Sequence, residues 1–152
     1  MKRNLFPVAL FAAIFLVGCD PGITIRQSTP AADSESYSGP MKERLTIAVE
    51  PSNHLIGETW YVSKFEITNS FREQITVTDA QLMALGVTYS NQLKTAQDIY
   101  PAVIQPDHKQ ILGAKFDLQT DVKTAFSQPV QLRVIFTIGQ KREVATIMLT
   151  GR

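Results

Sequence analysis

The stretch "PVQLRVIFTIGQKREVATIMLT", Pro129 to Thr150, decides the fold. Val130, Leu132, Val134, Phe136 and Ile138 alternate with Gln131, Arg133 and Thr137. Side chains two apart share one face of an extended chain, so this is a strand with one apolar face. Gly139 opens "GQKR", a predicted hairpin turn. "EVATIMLT" then returns with Ala145, Ile147 and Leu149 on one side.

The same period of two recurs upstream. Leu45, Ile47 and Val49 share a face in "LTIAVE", which Glu50-Pro51 ends. In "WYVSKFEITN" Tyr61, Phe65 and Ile67 point one way, and Lys64, Glu66 and Thr68 the other. "NSFREQ" is a turn, with Asn69 and Ser70 suited to side-chain bonds onto nearby backbone. "ITVTDAQL" resumes with Ile75 and Val77 inward, and "KQILGAKFDLQ" places Leu112, Ala114, Phe116 and Leu118 together. A further strand is expected around Val87 to Tyr89. "TDAQLMALG" is the best helical candidate, yet it reads better as a continuing strand. Short alternating strands separated by turns predict an all-β, antiparallel β-sandwich of about seven strands over residues 44–152. The order of runs resembles immunoglobulin-like or fibronectin-type modules, through "KFEITNSFREQITV" and "VIQPDHKQILGAKFDL".

The beginning of the chain is of another kind. "MKRN" carries two positive charges, and "LFPVALFAAIFLVG" runs from Leu5 to Gly18 without a charge. As a helix that run spans roughly 21 Å, short of a ~30 Å hydrocarbon core. A positive head, a short apolar middle and a small residue at the end predict a secretory signal over residues 1–18. Cys19, the single cysteine of the chain, follows directly.

The run "LVGC" resembles the lipobox of bacterial lipoproteins. The resemblance implies diacylglycerol on the Cys19 thiol, cleavage after Gly18, and anchoring by acyl chains. A thiol suits that attachment because its thiolate is a strong nucleophile. Asp20 resembles the signal by which enteric lipoproteins avoid outer-membrane sorting. On that reading the protein stays on the inner membrane facing the periplasm, in preference to the outer membrane. The other reading makes Asp20 a polar residue at the start of a tether. With Cys19 acylated no intramolecular disulfide is available, so the exported domain holds together by packing alone.

From Asp20 to Glu43 the chain reads "DPGITIRQSTPAADSESYSGPMKE", rich in Pro, Ser, Ala and acidic residues. Residues 19–43 are therefore expected to form a lipidated, flexible linker able to reach on the order of 80 Å when drawn out. The alternative docks Gly22 to Gln27 on the domain as a strand.

The whole chain has 152 residues, 44% of them hydrophobic and 19% charged, with a net charge of +1. Loss of residues 1–18 removes Lys2 and Arg3 and leaves the domain near neutral, with no pull toward nucleic acid or anionic lipid. Signatures of catalysis are missing from the sequence: it has no GxSxG, no phosphate-cradling glycine loop, and no cysteine besides Cys19. His54 in "PSNHLIG" and His108 in "QPDHKQ" stand in turn-like segments and read as exposed loop residues. A metal or small-ligand site would need them to converge with Glu50, Asp107 or Met148. No cofactor is implied.

Two surface features remain. If Tyr61 faces the core, alternation turns Trp60 and Val62 outward, where an aromatic could anchor a partner; the alternative packs Trp60 beneath a loop. "SNQLKTAQDIYPAVIQPDH" is long, polar and irregular, and reads as a binding loop or a crossover connection. The expectation is a non-catalytic, membrane-anchored periplasmic lipoprotein that binds another envelope protein. The competing expectation is a periplasmic carrier of a metal or small ligand using His54 and His108.

Overall fold

In a computed structural model the chain is described over residues 22–33, 45–96 and 98–152, with residues 28–33 given by backbone alone. Ten strands and one short helix follow in order: β1 (Ile23–Asp33), β2 (Leu45–Val49), β3 (Ser52–His54), β4 (Trp60–Asn69), β5 (Ile75–Ala84), β6 (Val87–Ser90), β7 (Ala102–Ile104), β8 (Lys109–Asp117), α1 (Val122–Ala125), β9 (Val130–Ile138) and β10 (Lys141–Gly151). They form two antiparallel sheets. The larger has the order β3-β1-β10-β9-β5-β6, with β7 also on the β5 edge; the smaller is β2-β4-β8. The protein is an all-β sandwich.

The period-two alternation sets the core. Tyr61, Phe65 and Ile67 of β4, Phe116 of β8, Val134 and Phe136 of β9, and Ala145 and Leu149 of β10 are completely buried between the sheets. β9 and β10 pair without a break from Ile138↔Lys141 to Val130↔Leu149, and Gly139 makes the turn at φ 56°. A left-handed φ of this kind favours glycine.

Two features depart from the strand pattern read in the sequence. The first lies in the segment expected to be a flexible linker: Ile23–Asp33 form β1, which follows the alternative of a docked strand over Gly22 to Gln27 and extends beyond it. Ile25 faces Gly151 of β10, and Ile23 faces His54 of β3. Backbone pairing on both sides holds this strand, which is why its Pro-, Ser- and Ala-rich composition does not exclude it. Ile25 enters the core completely buried. The second is a bulge in β5, where the register against β9 shifts between Val77 and Asp79. An extra residue on one strand reverses the inward phase. Ile75 and Val77 face inward before it, and Ala80, Leu82 and Ala84 after it.

Side chains close the two open sides of the sandwich. On one side Gln27 donates from Nε2 to the Ile47 carbonyl at 3.3 Å and accepts from the Val49 N–H at 3.0 Å. The edge of β2 away from β4 is thereby tied to β1. On the other side the chain leaves the larger sheet after β6, and Asn91, Gln92 and Tyr100 lie along the edge of β8. There the Gln92 N–H donates to the Lys115 carbonyl at 2.8 Å, and the Lys115 N–H donates to Asn91 Oδ1 at 3.0 Å.

Candidate functional site

The outer face of β2-β4-β8 is built by the same alternation that builds the core. With Tyr61 and Phe65 inward, β4 turns Trp60, Val62, Lys64 and Glu66 out. Its register with β8 sets Trp60 against Asp117, Val62 against Lys115, Lys64 against Gly113 and Glu66 against Ile111. Three large apolar side chains on this face are accessible: Trp60 at 39%, Val62 at 44% and Ile111 at 58%. Trp60 does not lie beneath a loop; Lys115 Nζ covers one face of its ring, 4.4 Å from the centroid, a cation–π contact.

Leu93 Cδ1 lies over Gly113, 3.7 Å from where a Cβ would stand. Beside it an open groove of about 350 Å³ is bordered by Glu50, Lys64, Asp98, Ile99, Gly113 and Ile111. Two carboxylates, Glu50 and Asp98, and one ammonium, Lys64, line the groove. β8 is also the edge strand of its sheet. The Lys115 backbone is occupied by Asn91 and Gln92, and the Gly113 carbonyl accepts the Tyr100 hydroxyl at 2.9 Å. Ile111 belongs to the same phase of the strand, so its N–H and C=O point to the same edge. No further strand pairs with β8 among the described residues. An exposed edge beside apolar side chains is suited to adding an extended segment of a partner.

The long segment read as either a binding loop or a crossover is not irregular throughout: it joins β6 to β7, which pairs with β5, before the chain passes to β8 of the other sheet, and it is pinned at several points. Asn91 Oδ1 accepts from the Leu93 and Lys115 N–H groups, both at 3.0 Å. Lys94 reaches the buried Asp79 carboxylate at 3.3 Å. Burial, and secondarily the Asp79 charge, push the Tyr100 phenol well above its ordinary range, so it remains a donor.

The histidines do not converge. His54 is not an exposed loop residue: it ends β3 at 9% exposure, its ring 5.0 Å from that of Tyr61. Nδ1 lies 3.1 Å from Glu58 Oε2 and Nε2 3.3 Å from Ser52 Oγ. His108 is exposed, with Nδ1 2.8 Å from the Pro106 carbonyl, and its own carbonyl accepts from the Asn69 N–H. Tyr61 and Asn69 stand eight residues apart on β4, about 26 Å at the rise of a strand. One ion cannot reach both rings. Among the described residues no group of three or more His, Cys, Asp or Glu is placed to hold a metal. Cys19 and Asp20 lie outside the described residues.

Ile111 is the surface residue that the strand reading passed over. Its signal is present in "QILGAKF": an isoleucine in the polar phase of a strand whose opposite phase is Leu112, Ala114 and Phe116.

No family model and no curated protein matches this chain. Among solved structures it is similar to a Northeast Structural Genomics Consortium target designated SoR45, at 8% identity and a TM-score of 0.42 over 74% of this chain and 88% of that one.

Proposed function

We propose that this chain is a lipid-anchored accessory protein of the bacterial cell envelope, non-catalytic, which binds another envelope protein through the outer face of β2-β4-β8. The observation that carries the reading is the position of Cys19, the single cysteine, at the end of a charge-free apolar run behind a basic head. More than one acyl chain gives stable anchoring, and the lipobox resemblance implies that number. The protein faces the periplasm, and Asp20 favours the inner membrane. Trp60, Val62 and Ile111 beside the β8 edge support a protein partner, since aromatic and aliphatic anchors on an accessible face are the usual centres of such contacts.

Metabolic labelling with a fatty acid tests the anchor. The native chain incorporates label and Cys19→Ser abolishes it, leaving unprocessed precursor. Labelling that persists in Cys19→Ser overturns the anchor reading. Purification of the labelled protein from envelope membranes in mild detergent tests the second half. Recovery of no stoichiometric partner overturns the accessory role.

A further inference from the structure

We propose that the end of the sandwich where β1 begins rests directly on the lipid bilayer, with Leu55 and Ile56 inserted among the lipid headgroups. This rests on the lipid-anchor reading of Cys19. It replaces a domain held off the membrane by a long tether with one seated on the surface.

The first argument is covalent. Between Cys19 and Gly22 there are three Cα–Cα links, so whatever their conformation the two Cα atoms are within about 11 Å. Gly22 itself is fixed to the domain. A Cβ built on it would fall 2.1 Å from the His54 carbonyl oxygen and 3.5 Å from the Leu55 Cα. Next to it Ile23 pairs with His54, and Thr24 exchanges two backbone bonds with Arg152 at 2.7 and 3.0 Å. Acyl chains on Cys19 therefore hold the Leu55 backbone within reach of the headgroup layer, which is about 6 Å deep on each side of the hydrocarbon.

The second argument is independent of the anchor. The loop after β3 presents Leu55 at 64% and Ile56 at 37% exposure, ahead of a turn at Gly57 with φ 88°. The β5–β6 hairpin turns at the same end. Ile25 faces Gly151, Leu149 faces Val130, and Met83 faces the neighbouring Gln131, so Leu85 lies beyond the same margin of the sheet as Gly22. Leu85 and Val87 are each 49% exposed. Four exposed aliphatic side chains thus lie at the end from which the anchored segment departs, Leu55 and Ile56 at the β3 margin beside it and Leu85 and Val87 at the β5–β6 margin across the sheet. Once the acyl chains are in the bilayer, insertion of Leu55 and Ile56 is an intramolecular step at high effective concentration, so modest apolar area suffices.

The test uses the acylated protein in vesicles of phosphatidylethanolamine and phosphatidylglycerol. Acylation blocks the Cys19 sulfur, so Ile56→Cys carries the only free thiol and takes an environment-sensitive fluorophore; Gln140→Cys, exposed at the opposite end, is the control. The label at 56 is expected to shift to the blue and lose most of its emission to nitroxide-bearing lipids, while the label at 140 does neither. Vesicle-bound protein whose label at 56 behaves like that at 140 overturns this proposal and leaves the anchor standing. Protein that fails to float with the vesicles and keeps a free Cys19 thiol overturns both. Leu55→Gln paired with Ile56→Gln gives a second measure: protease cleavage of the vesicle-bound protein in the 55–59 loop is expected to become faster than in the native chain. Equal rates count against insertion.

Discussion

The Tyr100 hydroxyl donates to the Gly113 carbonyl at 2.9 Å, joining the crossover from the larger sheet to the edge strand of the smaller one. Tyr100 is buried, and that burial, with the Asp79 charge behind it, raises its pKa above the ordinary value of 10.0. Burial moves Tyr61 the same way. The unfolded chain releases these protons near pH 10, whereas the folded chain retains them. Their contribution to stability is fully present below that value and is lost progressively as pH rises above it toward and through the raised folded values. Urea midpoints are expected to hold steady from neutrality to about pH 9, then fall. Tyr100→Phe lowers stability by about 1 kcal/mol at neutral pH and makes the alkaline fall shallower. An alkaline slope unchanged in Tyr100→Phe rules out Tyr100 as a source of it.

Asn69 is completely buried at the end of β4, and its amide is fully employed. Nδ2 donates to the Glu73 and Ile104 carbonyls, both at 2.9 Å, and Oδ1 accepts from the Phe71 N–H at 2.9 Å. One side chain thus shapes the β4–β5 turn and fastens β7 to it. Asn69→Ala removes two buried hydrogen bonds and one part-buried one and is expected to cost about 3 kcal/mol. Asn69→Asp retains the acceptor but loses both donors and sets a charge against two carbonyls, so it should be no better than alanine. Chemical denaturation of the two variants checks the order.

What could be read from the sequence was whatever a strict period of two carries. The inward residues of β2, β4, β8, β9 and β10 follow from alternation, because each strand buries one face against the opposite sheet. β5 obeys the rule only as far as Val77. The bulge before Asp79 reverses the phase, so the inward set passes from Ile75 and Val77 to Ala80, Leu82 and Ala84. β1 shows in the sequence only as the short alternation of Ile23 and Ile25, which allowed a docked strand over Gly22 to Gln27 as the alternative to a linker; its continuation to Asp33 rests on backbone pairing with β10, which leaves no apolar pattern. β3 and β7 have three residues each, too few for any periodicity. The burial of His54 depends on Tyr61 and Glu58 closing around it. Of the exposed apolar face, Trp60 and Val62 follow from the inward direction of Tyr61, while Ile111 needed attention to the polar phase of β8.

The approach of Gly22 to His54 leads to a stability prediction. A Cβ 2.1 Å from a backbone oxygen cannot be accommodated by a rotamer change, so β1 and β3 must separate at that point. Gly22→Ala is expected to destabilise the domain by about 2 kcal/mol, in the range of overpacked sites. Amide exchange should localise the damage to Ile23, Thr24 and Ile25 and leave β9 protected. Uniform loosening across both sheets would instead mean that β1 is essential to the whole fold.

The outer face of β2-β4-β8 separates binding from folding cleanly. Val62 and Ile111 are 44% and 58% exposed, so charges there should change stability by no more than about 0.5 kcal/mol. The same charges in the centre of a protein contact are desolvated without a counter-ion. Val62→Glu with Ile111→Glu should therefore weaken binding of the co-purified envelope partner by 2 kcal/mol or more, roughly thirty-fold. Trp60→Ala removes the aromatic anchor and should act in the same direction, again with little effect on the melting temperature. Lys115 rests on that ring, so Lys115→Met keeps most of the covering surface and should preserve binding better than Lys115→Glu. Retention of full affinity by the Val62, Ile111 and Trp60 variants, with their folding intact, would place the partner on a different surface.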